Sequence, residues 1–150
     1  MATMLFEMVT VEKVLFSDQV ESIVAPGEAG ELGILPHHAP LLTTLRPGEL
    51  RVTQDGQEHA MAVSGGFLEV LGNKVTVLAD TAEHAGEIEL ERAEEAIRRA
   101  EERIASRDAD LDLERALGAL RRAQVRVTVA RRRRSRGVPQ AAGEPPPPSA

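Results

Sequence analysis

From Met4 to Ala79 the apolar residues come in short runs, MLFEMVTV, VESIVA, ELGIL, PLLTTL, LRVT, MAV, FLEVL and VTVLA, each broken by turn residues. Short β-prone runs bounded by Gly, Pro, Asn and Asp predict strands. The punctuation is Pro26-Gly27, Pro47-Gly48, Asp55-Gly56, Gly65-Gly66 and Gly72-Asn73. Each pair supplies a fixed φ or tolerates a positive one where the chain must reverse. Asp55-Gly56 and Gly72-Asn73 are the best hairpin turns. Many turns with no helical period between them predict an N-terminal antiparallel β-sandwich over residues 1–86.

After Gly86 the period changes. Ala93, Ile97, Ala100 and Ile104 follow the spacing of one helix face, and so do Leu113, Ala116, Leu120, Ala123 and Val127. Two amphipathic helices over 87–136 are predicted, joined by the polar segment Ser106, Arg107, Asp108, Ala109, Asp110, which is short enough to make them antiparallel neighbours. The fold class is thus β plus α, a sandwich followed by a C-terminal antiparallel αα-hairpin. A shift of 23 residues lays IELERAEEAIRRAEER (88–103) on LDLERALGALRRAQVR (111–126) with nine identities in sixteen positions. A duplicated helix fits this match, and so does the shared preference of exposed helices for Ala, Glu and Arg. The end, 137–150, contains Pro145 to Pro148 in succession and predicts a disordered Pro-rich tail.

Composition narrows the chemistry. With no cysteine there is no disulfide, thiolate metal site or thiol nucleophile. No run approaches the roughly 20 apolar residues that span a bilayer, so membrane association is expected only through a partner. Three Phe and no Tyr or Trp leave almost no stacking surface for bases. No phosphate-binding loop, nucleophile elbow, H-E-x-x-H or dinucleotide fingerprint occurs, so a nucleotide here would be bound rather than turned over, and the chain is expected not to be an enzyme. His37, His38, His59 and His84 lack metal-ligand spacing, and no metal is expected.

Charge is uneven. Residues 1–86 carry a net −8, residues 87–130 a net −2 and residues 131–150 a net +4. From Arg115 through Gly143 there is no acidic residue, while Arg115, Arg121, Arg122, Arg126, Arg131, Arg132, Arg133, Arg134 and Arg136 all fall there. The first helix balances itself through Glu94 with Arg98 and Glu95 with Arg99, i,i+4 pairs worth about 0.2–0.5 kcal/mol each. On the second, Arg122 and Arg126 repel by a similar amount. A solvated basic face, nucleic acid, an acidic protein surface and a phosphate compound held by guanidinium forks each answer that demand, and the absence of aromatics with an acidic body argues against nucleic acid.

Three separated motifs then carry a resemblance: G-E-L-G-I-L-P-H-H-A-P-L-L (Gly30 to Leu42), S-G-G-F-L-E-V (Ser64 to Val70) and V-T-V-L-A-D-T-A-E (Val75 to Glu83), followed by the Ala- and Arg-rich hairpin. In this order and register, from about residue 4 to 130, the chain resembles the epsilon subunit of bacterial and chloroplast F-type ATP synthases. The resemblance implies a non-catalytic rotor subunit of the central stalk, at the cytoplasmic face of the cell membrane, coupling hydrogen ion transport to ATP synthesis. Implied partners are the gamma subunit, the c-ring and the catalytic alpha and beta subunits. Glu31 would lie at the ring contact and His38 at the gamma contact, with His37 standing where the family commonly has Gly. The hairpin would inhibit hydrolysis by contacting an acidic motif of the beta subunit through Arg121, Arg122, Arg126 and the run Arg131, Arg132, Arg133, Arg134. No cofactor is required, but some bacterial members bind ATP on the hairpin. The matching positions are Glu83, Ile88, Glu89, Arg92, Ala93, Arg122 and Arg126, with Glu89 where those members carry Asp. The alternative reading is a free-standing β-sandwich binding module with a basic tail for nucleic acid or an anionic surface.

Overall fold

The computed structural model describes residues 2–106 and 112–135, with side chains as far as residue 133. The expected link at 107–110, the side chain of Arg134, Arg136 and the tail 137–150 lie outside the described residues. The chain divides into two compact units, the first ending at Glu83 and the second beginning at His84.

Ten strands precede the helices: β1 (Met4–Val9), β2 (Val14–Val20), β3 (Ser22–Gly27), β4 (Gly30–Ile34), β5 (Leu41–Leu45), β6 (Gly48–Gln54), β7 (Gln57–Val63), β8 (Gly66–Leu71), β9 (Lys74–Ala79) and β10 (Ala82–His84). Their order in the sheet is β10-β7-β6-β3-β5-β8-β9-β1-β2, with β4 paired to β3. The sheet folds over one core. Met4, Phe6 and Met8 from β1, Leu50 and Val52 from β6, Met61 and Val63 from β7, and Leu68, Val70, Val75 and Val77 from β8 and β9 belong to a single buried cluster. Alternation puts them there, because successive side chains on a strand face opposite sides.

The turns show where local chemistry decides. Asp55 and Gly56, both at positive φ (51° and 74°), join β6 to β7, and Gly72 and Asn73, both at 59°, join β8 to β9. This is the primed-turn geometry that fits strand twist. Gly66 has φ 137°, and a Cβ there would collide with the Leu78 carbonyl, so β8 and β9 pair closely at this point only because the residue is Gly. Pro26-Gly27, in contrast, closes β3 rather than forming a turn. Gly27 pairs with Gly30, so the reversal falls on Glu28 and Ala29. The pairing of β1 departs from the antiparallel expectation: it runs parallel to β9, with Phe6 opposite Val75 and Met8 opposite Val77.

In the second unit a 3-10 turn (Ala85–Glu87) leads to α1 (Leu90–Ser106), and α2 covers Leu113–Ser135. The Glu89 carbonyl accepts the first bond of α1 from Ala93 N (3.0 Å), placing a carboxylate residue at the positive end of the helix. Asp112 caps α2: its side chain accepts from Arg115 N (3.2 Å) and its carbonyl from Ala116 N (3.0 Å). The two helices pack antiparallel. Glu94 near the start of α1 meets Arg131 near the end of α2. At 23 residues, α2 runs past Val127 into the arginine run, since Arg is a good helix former and cations suit a helix C-terminus.

His37 is the strained position of the sandwich. Leu35 O accepts from His38 N (3.2 Å) across Pro36 and His37, and His37 has φ 66°. This is a type II turn, whose third residue favours Gly. The left-handed region costs a non-glycine residue roughly 1–2 kcal/mol, against about 0.4–1 kcal/mol of unfolded-state entropy that Gly would add. His37→Gly is therefore expected to stabilise the fold by up to about 1 kcal/mol, read as a higher urea midpoint at unchanged slope. A lower midpoint would show that the His37 side chain contributes more than its backbone costs.

Candidate functional site

The hairpin unit contains a cavity of about 250 Å³ lined by Glu87, Glu89, Arg92, Ala96, Arg99 and Arg126. Arg92, Ala96 and Arg99 stand at i, i+4 and i+7 on α1 and so share one stripe. Arg126 closes the space from α2, and Glu87 and Glu89 enter from the segment leading into α1. Ala96 opens the middle of the stripe because its side chain ends at Cβ. Arg92 Nη1 lies 3.5 Å from Glu89 Oε2. Three guanidinium groups against two carboxylates leave the lining one positive charge in excess. Forked donors around a small polar space suit the oxygens of a phosphate or carboxylate.

Of the residues matched to an ATP motif, Glu89, Arg92 and Arg126 come together here. Ile88 and Ala93 are fully buried and support the start of α1 instead of lining the space. Glu83 lies half-buried on β10 and does not line it. Arg122 is exposed and does not line it either; its Nη1 turns back along α2, 3.4 Å from where a Cβ on Gly118 would be. Arg99 and Glu87 were not singled out from sequence, although Arg99 was accessible as the i+7 partner of Arg92.

The arginine-rich end of α2 is engaged within its own unit. Arg131 Nη2 donates to Glu94 Oε1 at 2.8 Å. Among the described residues, the expected pairing of Glu94 with Arg98 along α1 gives way to this cross-helix bond, since α2 brings a cation within reach of the same carboxylate. The Arg133 guanidinium lies against Gly86, 3.2–3.3 Å from where a Cβ would stand, and its Nη1 is buried without a hydrogen-bond partner among the described residues. Arg121 and Arg132 are exposed.

On the sandwich, Glu31 is exposed on β4. Its Oε2 is 3.7 Å from Arg51 Nη2, and Arg51 Nη1 is 3.2 Å from Oε1 of the buried Glu49. His38 is exposed in the turn after Pro36, its Nδ1 2.7 Å from Ala39 O. That turn is held by Asn73, which accepts from His37 N (2.8 Å) and donates to Thr3 O (3.0 Å). The outer face carries an apolar row that sequence reading passed over. Thr44 lies opposite Phe67, Phe67 opposite Leu78, Leu78 opposite Val9 and Val9 opposite Val14, across five adjacent strands. Phe67, Leu78, Val14 and nearby Leu42 are 53–70% exposed. The signal was present in FLEVL and PLLTTL, which are apolar at both strand parities. A contiguous exposed apolar patch marks an interaction surface more often than scattered single residues do.

Among the described residues no cluster of His, Asp and Glu is placed to hold a metal, and no helix is long and apolar enough to cross a membrane. Comparison with known proteins covers both units. Residues 3–85 match the family model described as ATP synthase, Delta/Epsilon chain, beta-sandwich domain, and residues 87–131 match that of the long alpha-helix domain of the same chain. The ATP synthase epsilon chain of Desulforamulus reducens is 52% identical over 109 residues, 73% of this chain and 83% of the relative. That of Herpetosiphon aurantiacus is 52% identical over 130 residues, 87% of this chain and 96% of the relative. Among solved structures, a chain of the Euglena gracilis mitochondrial ATP synthase shares the fold at TM-score 0.73 and 24% identity, covering 83% of this chain and 79% of that one. A chain of the Tetrahymena thermophila mitochondrial ATP synthase central stalk and c-ring shares it at TM-score 0.57 and 16% identity, covering 92% and 98%. With both of its parts matched by family models and 52% identity over 130 aligned residues to the Herpetosiphon aurantiacus relative, the chain belongs to the delta/epsilon chain family of ATP synthases.

Proposed function

We propose that the chain works as the epsilon-type central-stalk subunit of an F-type ATP synthase, non-catalytic itself, coupling proton translocation to ATP synthesis and restraining hydrolysis through its hairpin. The observation that carries this reading is the match to an ATP synthase epsilon chain at 52% identity over 130 residues, 87% of this chain. Residues 1–86 act as the docking domain, 87–136 as the regulatory hairpin and 137–150 as a tail. The complex places the chain at the cytoplasmic face of the membrane.

The apolar row through Phe67 and Leu78, with His38 nearby in sequence to Leu42, supplies the surface for the gamma subunit. Glu31, backed by Arg51, supplies a polar contact for the c-ring. Burying a Phe contributes about 1.5–3 kcal/mol, which corresponds to roughly 10- to 100-fold in affinity. Phe67→Ala is expected to weaken binding to an isolated gamma subunit by that factor while shifting stability by less than about 0.5 kcal/mol, because the side chain is exposed. Unchanged affinity by surface plasmon resonance would move the gamma contact elsewhere.

Restraint of hydrolysis falls to the basic positions of α2 acting on an acidic surface of the catalytic subunits. Removal of residues 87–150 is expected to raise ATP hydrolysis by the reconstituted complex at unchanged assembly; equal rates would exclude the hairpin as the inhibitor.

ATP is the regulatory ligand of the hairpin cavity. At about 250 Å³ the space is smaller than the 300–1,000 Å³ of typical ligand sites, so it takes the phosphates rather than the whole nucleotide. Binding at 100 times Kd would favour the folded hairpin by about 2.7 kcal/mol. Calorimetric titration of the full chain is expected to give saturable heat that Arg92→Ala with Arg126→Ala abolishes and Arg122→Ala weakens less. Equal heats in all three proteins would remove ATP from this site.

A further inference from the structure

We propose that Glu94 is an internal competitor for the inhibitory arginines: in the folded hairpin it occupies Arg131, and a carboxylate on the catalytic partner must displace it before α2 can dock. This rests on the reading of α2 as the inhibitory element and names what holds it in check. The Arg131–Glu94 ion pair closes at 2.8 Å, and it joins residues 37 apart in sequence across two helices. It therefore exists only while α1 and α2 are side by side. A second arginine of the same run is also turned inward, with the Arg133 guanidinium 3.2–3.3 Å from where a Cβ on Gly86 would stand. Its buried Nη1, without a partner among the described residues, is better satisfied once released. The folded hairpin thus engages Arg131 through Glu94 and seats Arg133 beside Gly86, so an outside anion meets competition at the first and partial burial at the second. Glu94 also states the chemistry required of the competitor: a carboxylate displayed on a partially covered surface, able to meet a guanidinium end-on.

The pair is open to solvent, with Arg131 at 65% and Glu94 at 34% exposure, so its effect is small and reversible. Loss of such a pair shifts the folded–extended equilibrium by about two- to fivefold. The test uses the full chain in the reconstituted complex. The chain has no native cysteine, so single cysteines at the exposed positions Glu95 and Thr128 accept a donor and an acceptor dye that report whether α1 and α2 lie together. Glu94→Gln is expected to lower the folded-to-extended ratio about two- to fivefold and to deepen inhibition of hydrolysis. Exchanging the charges, Glu94→Arg with Arg131→Glu, is expected to restore the folded ratio yet leave hydrolysis less inhibited, because the docking cation is gone. An unchanged ratio in Glu94→Gln, or failure of the exchange to restore it, overturns the proposal. If truncation at residue 86 still relieves inhibition in that case, the inhibitory reading stands without it. If truncation has no effect, the reading itself is at fault.

Discussion

The buried positions of α1 and α2 are mostly alanine and valine, and the features of the hairpin depend on that. Leu90, Ala93 and Ala100 are the buried residues of α1, and Ala123, Val127, Val129 and Ala130 those of α2. Interaxial distance follows the size of the side chains at a helix contact, within about 8–10 Å. An alanine-rich contact sits at the short end, and the flanking positions of one helix then come within reach of the other. Arg126 shares a cavity with Arg92 and Arg99, and Arg131 reaches Glu94 across the two helices. The same seam is weak. A methyl group removes far less apolar area from water than the Leu, Ile or Met that fill the sandwich core, where the gain is about 1.5–3 kcal/mol per side chain.

The strands were legible because turn chemistry is local. Asp55-Gly56 and Gly72-Asn73 need positive φ at both residues, and only a short list of residue types provides it. The parallel pairing of β1 with β9 was not legible. Alternation places Met4, Phe6 and Met8 on the inner face whichever neighbour β1 takes, so the pattern is silent on direction. The cap of α2 was not legible to the residue for a related reason: Asp108, Asp110 and Asp112 are equally good capping types, and the cap is Asp112. Helical rotation explains the rest of the cavity. Arg122 and Arg126 are one turn apart and differ by about 40° around the axis. That angle decides which faces α1 and which lies back toward Gly118, and a single helix does not encode its own rotation.

Family resemblance and physical reading contributed differently. The motifs around Gly30 to Leu42 and Ser64 to Glu83 identified the chain, and the matches to both domains leave a free-standing nucleic-acid module without support. The residues that matter most for surface chemistry came from geometry instead. The row through Phe67 and Leu78 emerges only when five strands are laid in register, and Glu94 acquires a role only when α2 is brought beside α1. The strain at His37 needed both, since the family pattern marks the substitution and the φ of 66° with the Leu35–His38 bond explains its consequence.

The two units suit opposite mechanical tasks. A sandwich with one continuous core of Phe, Met, Ile, Leu and Val opens only at close to the free energy of global unfolding, which is what a rigid link under load requires. The hairpin is governed by small terms. Its exposed ion pair is worth about 0.2–1 kcal/mol, while a ligand present at 100 times Kd contributes about 2.7 kcal/mol. The ligand proposed for the cavity would, at that strength, outweigh the pair and set the balance. On the role proposed for Glu94, scarcity of that ligand would leave the choice between Glu94 and an outside carboxylate to the partner surface, since an exposed pair is weak against several carboxylates acting together. A larger hydrophobic seam would lock α1 to α2 and leave neither ligand nor partner any influence, so alanine at these positions is what makes regulation by small differences physically available.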